Sequence, residues 1–378
     1  MSRVPRPSHH SSPHRRAPGS PSTPTRRGGG SPPPAPGGER VVILGVGQMG
    51  LVCAGALTAT TGADGGPEVI MWGHSREETD HLAQTRQSPR LPGFTLPESV
   101  RITASEEEAL DGASLIVTAV PVQFIREVWE RLRPHVGAGV GVVSVAKGIE
   151  NRTLLRPTQI VSDVLGEPAG SGRSIGVLSG PTIAAELARC LPATMIAASE
   201  DHEFALRIQR LFTTSWLRVY TSEDTLGVEL AGAVKNVIAI AAGIVDGLAA
   251  GYNAKSALLA RGLAEITRLG TALGAKPETF FGIAGVGDLA TSCFSPEGRN
   301  RSCGEALGKG EALDKYLART TSVVEGVATT RSVIDLARKL GVDLPIIESV
   351  HAVLFEGMDP IEGIGRLMSR EPKRETVG

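Results

Sequence analysis

The chain has 378 residues, 41% of them hydrophobic, enough to bury the cores of two ordinary domains. A formal net charge of −1 at pH 7 offers no electrostatic footing for nucleic acid or an anionic membrane surface. Aromatic residues, at 4%, are too few for a platform that stacks unpaired bases.

Residues 1–38 come first and are dominated by Pro, Ser, Arg, His and Gly. Such a segment cannot bury enough apolar surface to offset its ordering entropy, so a disordered, dispensable tail is expected. It lacks the apolar core of a signal peptide. Its arginines could meet an acidic partner, but composition alone gives them no such task.

RVVILGVGQMGLVCAGAL opens the ordered chain at Arg40. Val41–Leu44 reads as a short buried strand, followed by Gly45, Gly47 and Gly50 in the spacing GxGxxG and then by a helical run. The first glycine makes a tight turn, the second admits a pyrophosphate against the backbone, and the third lets helix and strand pack closely. The helix start then faces the phosphates. A second strand, EVIMWG, covers 68–73. An enzyme strict for NAD usually closes this strand with an acid that holds the ribose 2′-hydroxyl. Here Gly73, His74, Ser75 and Arg76 close it. His74 and Arg76 could accept a 2′-phosphate, so NADP is expected to be accepted as well as NAD, with Glu77 and Glu78 close by.

Further apolar strands are expected in SLIVTAVP, VGVVSVAKG, SIGVLSGP, ATMIAAS and LRVYTS. The alternation implies a mostly parallel sheet with helices on both faces. Pro121, Lys147, Gly148, Gly180 and Thr182 fall at the carboxyl ends of these strands, where ligands of such sheets bind. That placement sets Lys147 apart from an ordinary solvated lysine.

After Ser222 the pattern turns helical. GVELAGAVKNVIAIAAGIVDG reads as a helix apolar on most sides, hence buried, with Lys235 in its middle. A buried ammonium is costly unless paired. The helix AKSALLARGLAEITRLGTALG follows. FFGIAGVGDLATSCFSPEGRNRSCGEAL is expected to be irregular before another helix begins, and two more helical patterns cover 329–340 and 347–355. Asp288 in GVGDLATS reads either as a helix cap or as a site acid. Arg299 and Asn300 in GRNRSCGEAL read as a helix start, where a guanidinium and free amides suit a phosphate or carboxylate; a surface charge is the bland alternative. Cys53, Cys190, Cys293 and Cys303 form no CxxC pair, so no metal site is expected and a reducing, cytoplasmic setting is. No run reaches the roughly 18 unbroken apolar residues of a membrane span. The fold class expected is α/β: a Rossmann-like, mostly parallel sheet domain over 39–222, then an all-helical domain over 223–378, with the ligand cleft between them.

These blocks together resemble the NAD(P)-dependent glycerol-3-phosphate dehydrogenases of bacterial type. The likeness runs from Arg40 to about Glu375 and includes GxGxxG, MWGH, LPGFTLPE, KGIE, LSGP, GVEL.GA.KN, NAK.AL, G.GDL and RNR. The KN, GDL and RN blocks are the most specific. The resemblance implies interconversion of sn-glycerol 3-phosphate and dihydroxyacetone phosphate, in the service of glycerophospholipid synthesis. Lys235 matches the family's catalytic acid/base, with Asp288 beside it. Desolvation would lower a lysine's pKa and ease proton exchange, and pairing with Asp288 would oppose that shift. Ala231, Gly232, Ala239 and Ala242, at helical spacing from Lys235, leave room for a substrate or another helix.

The substrate positions implied are Lys147, Gly180, Thr182, Lys235, Asp288, Gly298, Arg299 and Asn300, with Arg299 gripping the phosphate together with Asn300. The cofactor positions, for NADP or NAD, are Gly45, Gly47, Gln48, Met49, Gly50, His74, Lys147, Ala184, Arg299, Val323 and Glu325. The partner implied is a small phosphorylated molecule, with a homodimer possible and neither nucleic acid nor membrane. The chain departs from the family at Gln48–Met49, at Val122, in QSPRLPG, at Thr182–Ile183 and at Gly298. All touch cofactor or substrate packing, and none removes a proton-transfer residue. A hydroxy-acid dehydrogenase and a non-catalytic dinucleotide-binding regulator are the rival readings.

Overall fold

The computed structural model describes residues 38–60, 66–167, 172–320, 322–372 and 374. The expectation of a disordered tail therefore lies outside the described residues.

The first half alternates strands and helices: β1 (Arg40–Leu44), α1 (Gln48–Ala59), β2 (Glu68–Trp72), α2 (Arg76–Thr85), β3 (Arg101–Thr103) and α3 (Glu106–Leu110). It continues with β4 (Leu115–Thr118), α4 (Val122–Leu132), β5 (Gly141–Ser144), α5 (Pro157–Leu165), β6 (Ile175–Ser179), α6 (Ala184–Ala188), β7 (Ala193–Ala198), α7 (His202–Phe212) and β8 (Leu217–Ser222). The strands form one sheet in the order β3-β2-β1-β4-β5-β6-β7-β8. All neighbours are parallel except β6 and β7, which run antiparallel.

β1 shows how the sequence builds the layers. Its residues alternate faces, as the strand period of two requires. Val41 and Ile43 pack with Leu51 and Leu57 of α1, while Val42 and Leu44 pack with Ile125 and Trp129 of α4. Both faces are covered, which is why the strand reads as an unbroken apolar run. Strand order reverses between β1 and β4, so the crevice beyond their carboxyl ends opens there. β3 has no counterpart in the sequence reading: three residues are too few to show a period.

The second half is helical among the described residues: α8 (Thr225–Gly247), α9 (Gly251–Ala272), α10 (Pro277–Phe280), a π turn at Ile283–Gly287, α11 (Asp288–Phe294) and α12 (Arg299–Gly308). Then come α13 (Leu313–Arg319), α14 (Glu325–Leu340), α15 (Pro345–Phe355) and α16 (Pro360–Met368). The irregular stretch expected after Phe280 is thus corrected: most of it is helix. Two of its glycines serve close packing rather than turns: a Cβ on Gly285 would lie 2.0 Å from the Phe280 carbonyl oxygen, and one on Gly304 would lie 1.9 Å from that of Ile240.

α8 is the axis of this half. Asp224 starts it by accepting from the Gly227 amide at 2.9 Å, and its other oxygen accepts from Lys276 and Thr279. Every residue from Gly227 to Val245 is buried. α8 has the length and mean hydropathy, 1.7, of a membrane span, yet its most apolar stretch lies wholly inside the molecule. α9, α11, α12 and α14 pack around it.

The crossing of α8 and α12 brings backbone against backbone. Gly243 and Gly247 on α8 meet Gly304 and Gly308 on α12. A Cβ on Gly243 would fall 1.9 Å from the Arg301 carbonyl oxygen, and one on Gly304 would fall 1.9 Å from that of Ile240. No rotamer relieves a clash with main chain. Gly304→Ala is expected to destabilise the protein by at least about 2 kcal/mol despite alanine's better helix propensity. Denaturant unfolding with an unchanged midpoint would show that the crossing gives way easily.

Candidate active site

A cleft of about 780 Å³ runs along the carboxyl ends of the strands and under the starts of α12 and α14. At one end lies the turn after β1. Gly45 has φ +109°, a conformation side chains avoid. A Cβ on Gly47 would meet nothing within 4 Å, so its backbone is open to the cleft. A Cβ on Gly50 would sit 2.1 Å from the Gly45 carbonyl oxygen, which explains the third glycine as packing. Gly45, Gly47, Gln48 and Met49 line the cleft, as do His74, Ala184, Val323 and Glu325. Gly50 lies behind it. These residues fit a dinucleotide: an open backbone cradle, then the positive end of α1.

Arg76, expected at the β2 end, is exposed as the first residue of α2 and does not line the cleft. Arg90 and Arg131 line it instead.

At the other end Asp288, 1% exposed, begins α11 and holds two lysines. Its Oδ2 accepts from Lys147 Nζ at 2.7 Å, and its Oδ1 lies 2.9 Å from Lys235 Nζ. Lys147 comes from the loop after β5 and also donates to the Gly180 carbonyl at 2.8 Å and to Thr182 Oγ1 at 3.3 Å. Burial pushes its pKa down to about 8; Asp288 opposes the shift and Lys235 adds to it. The side chain passes over Gly232 of α8, where a Cβ would lie 3.5 Å from Lys147 Cγ and 3.2 Å from Ser179 Oγ. Lys235 projects from the middle of α8 and donates to Ser292 Oγ at 2.6 Å.

Gly298 precedes α12 and offers no capping side chain, so the first amides of that helix stay free for a ligand. Arg299, exposed at the cleft, makes no ion pair among the described residues. Asn300 is engaged differently from the expectation of a phosphate grip. Its Nδ2 donates to Asn236 Oδ1 at 2.9 Å, and its Oδ1 accepts from the Gly326 amide at 2.9 Å. Asn236 in turn donates to the Lys147 carbonyl at 3.3 Å. Glu325 heads α14 beside Arg299. Burial pushes its carboxyl up to about 7, against the pull of Arg299 and the Val122 amide, and its Oε2 has no hydrogen-bond partner.

Two models, described as the N-terminus and the C-terminus of NAD-dependent glycerol-3-phosphate dehydrogenase, match residues 40–205 and 224–365. The chain belongs to that family. It is 46% identical over 336 residues to glycerol-3-phosphate dehydrogenase [NAD(P)+] 1 of Salinibacter ruber, covering 89% of this chain and 96% of that one. It is 43% identical over 337 residues to the Chlorobium phaeobacteroides enzyme of the same name, covering 89% and 99%. The crystal structure of glycerol-3-phosphate dehydrogenase from Coxiella burnetii superposes with a TM-score of 0.81 at 33% identity, over 88% of this chain and 99% of that one. The resemblance read from the sequence blocks and the fold class expected from it are both borne out.

Within this family framework the sequence reading had passed over Ser292 and Asn236. Ser292 stands one turn after Asp288 on α11, a spacing that becomes visible only once that stretch is seen as helix. Asn236 belongs to the KN block, but its tie to Asn300 and to the Lys147 carbonyl depends on residues far along the chain.

Asp288 balances two buried ammoniums, so its removal leaves both without a partner. Asp288→Asn is expected to cost about 3–5 kcal/mol at pH 7. The folded-state pKa of Lys147, about 8, lies below its usual 10.5, so it gives up its proton first in the folded protein. The penalty should therefore shrink as pH rises through and beyond 8. Urea denaturation of both proteins from pH 7 to 9.5 measures this; a penalty that grew with pH would contradict the charge pairing.

Proposed function

We propose that the protein interconverts sn-glycerol 3-phosphate and dihydroxyacetone phosphate, with Lys235 as acid/base and Arg299 as the phosphate receptor. Family membership makes it an NAD(P)-dependent oxidoreductase. The observation that supports the assignment of roles is one carboxylate, Asp288, carrying two lysines in the same cleft as an unpaired arginine at a helix start.

A bound nicotinamide supplies or takes the hydride at the substrate carbon. The chain handles charge and protons. Reduction of the ketone puts negative charge on its oxygen, and Lys235 Nζ stabilises that charge and delivers a proton to it. Lys147 and Lys235 against one carboxylate leave the site one positive charge in excess, which the developing oxyanion offsets. Asp288 and Ser292 orient the Lys235 ammonium. Arg299 and the first amides of α12 hold the phosphate, so binding energy remote from the reacting carbon fixes its position.

In this reading residues 39–222 bind the dinucleotide and 223–378 bind and convert the substrate. Gly180 acts through its carbonyl on Lys147, Thr182 and Gly298 shape the substrate end, and Ala184, Val323 and Glu325 would help hold the cofactor. The enzyme works in the cytoplasm, supplies the backbone of glycerophospholipids and forms a homodimer. Residues 1–38 take no part in catalysis.

Lys235→Ala should lower turnover on the order of 10²-fold or more while dinucleotide binding is retained. Steady-state oxidation of the reduced cofactor with dihydroxyacetone phosphate is the measurement, and near-normal turnover would remove Lys235 from the mechanism.

The phosphate site has its own test. Lysine copies a bidentate guanidinium contact poorly. Arg299→Lys should raise KM for dihydroxyacetone phosphate by the equivalent of about 2–5 kcal/mol. Dihydroxyacetone, which has nothing for Arg299 to grip, should be a very poor substrate for the parent and nearly indifferent to the change. Equal losses on both substrates would place Arg299 in the fold or the cofactor site instead.

A further inference from the structure

The β2 end of the cleft holds an ion pair that the family pattern does not account for. Glu78, on the first turn of α2, and Arg90, from the loop before β3, both line the cleft near His74 and the turn after β1. Arg90 Nε lies 2.7 Å from Glu78 Oε1. Its backbone is fixed to the phosphate-binding turn: Gln48, the first residue of α1, donates through Nε2 to the Arg90 carbonyl at 2.6 Å. Leu91, 1% exposed, anchors the loop just behind it, and the Leu96 amide closes the loop on the Arg86 carbonyl at 2.8 Å.

Only Nε of this guanidinium is engaged. Nη1 and Nη2 have no partner among the described residues, and the side chain is 47% exposed. In a dinucleotide fold the end of β2 is where the adenosine ribose is read. No acid closes β2 here, because Gly73 occupies that place. Arg131, also in the cleft, is committed elsewhere: it stacks on the Trp72 ring at 5.2 Å and pairs with Glu106.

We propose that Arg90 is the specificity-determining residue that reads the adenosine 2′-phosphate of NADP, and that Glu78 both aims its guanidinium and limits the resulting preference. The inference rests on the dinucleotide reading of the cleft. Two oxygens of a tetrahedral 2′-phosphate can accept from the two free nitrogens, the bidentate contact that guanidinium serves best. Glu78 supplies the opposing effect. A carboxylate 2.7 Å from the arginine repels a phosphate dianion placed beside it, while the same carboxylate can accept a hydrogen bond from the free 2′-hydroxyl of NAD. The pair therefore serves both cofactors, with the phosphate favoured by the arginine and the hydroxyl by the acid.

The test is binding, not turnover. Nicotinamide fluorescence on titration gives Kd for NADPH and NADH in the full-length protein without substrate. Calorimetry with adenosine 2′,5′-bisphosphate and with 5′-AMP isolates the adenosine end. Arg90→Gln should lower the ratio Kd(NADH)/Kd(NADPH) about tenfold, and Arg90→Lys should restore part of it. Glu78→Gln should raise the ratio severalfold. The bisphosphate and 5′-AMP should follow the same two directions. A ratio unchanged in Arg90→Gln, or both cofactors weakened equally, would overturn the inference while leaving the dehydrogenase reading intact. A ratio that fell in Glu78→Gln would overturn the role of the acid. A parent protein that bound neither dinucleotide would overturn the dinucleotide reading itself.

Discussion

A polar group on a buried helix needs a partner, because leaving it unpaired costs free energy comparable to a lost hydrogen bond or more. Four side chains of α8 find partners that place its neighbours, while the buried hydroxyl of Thr225 in its first turn has none among the described residues. Near its start Glu229 accepts from the Thr158 amide at 2.9 Å and from Thr158 Oγ1 at 2.8 Å, and pairs with Arg156. That joins α8 to α5 and hence to the sheet. In the middle, Lys235 takes Asp288 and Ser292 from α11, and Asn236 takes Asn300 from α12 and the carbonyl of Lys147. Near its end Asp246 pairs with Lys255 of α9 and Arg301 of α12, both at short range. The apolar majority of the helix supplies burial, but its polar minority decides which neighbour lies where.

The glycines make those pairings reachable. α12 could not bring Asn300 to Asn236, or Arg301 to Asp246, if side chains held it at an ordinary interhelical distance of 8–10 Å. Gly243, Gly247, Gly304 and Gly308 remove the side chains where the two backbones cross. The position of Arg299 follows, because it begins the helix that this crossing fixes. Arg299, at the end of a closely packed helix, thereby keeps its distance from Lys235 on the other one, which suits the roles proposed for them. This is the condition under which remote binding energy can orient a reacting carbon.

The sequence disclosed the parts that local physics controls. GxGxxG between a strand and a helix foretold three different glycine roles, and Gly45, Gly47 and Gly50 show a positive φ, an open cradle and a close helix contact. The apolar run around Lys235 foretold a buried helix. Other features depended on partners far along the chain and left no local trace. Phe280 to Leu307 looked irregular because its glycines suggest turns, whereas Gly304 serves backbone approach to α8 and Gly285 packs tightly within the π turn. Arg76 looked well placed at the β2 end, but it heads α2 on the exposed side. Arg90, fourteen residues on, reaches the cleft only because its loop folds back onto Gln48. The double attachment of Asp288 was half visible: the lysine on α8 was anticipated as its partner, while Lys147, 141 residues before it, was placed near the site but not on the same carboxylate.

That double attachment also explains why the two halves of the chain act as one site. Lys147 arrives from β5, Lys235 from α8 and Asp288 from α11, and none of the three charges is tolerable in its buried position alone. The backbone beside Lys147 is held a second time through Asn236, which passes the link to Asn300 and thence to the Gly326 amide, next to Glu325. A displacement of the α14 start is thereby transmitted to the lysine loop through three hydrogen bonds. Glu325 is the group at that end whose carboxyl burial has pushed up to about 7, with one oxygen buried and without a hydrogen-bond partner among the described residues. The two asparagines thus tie the α14 start to the lysine loop, and neither can shift without breaking one of these hydrogen bonds.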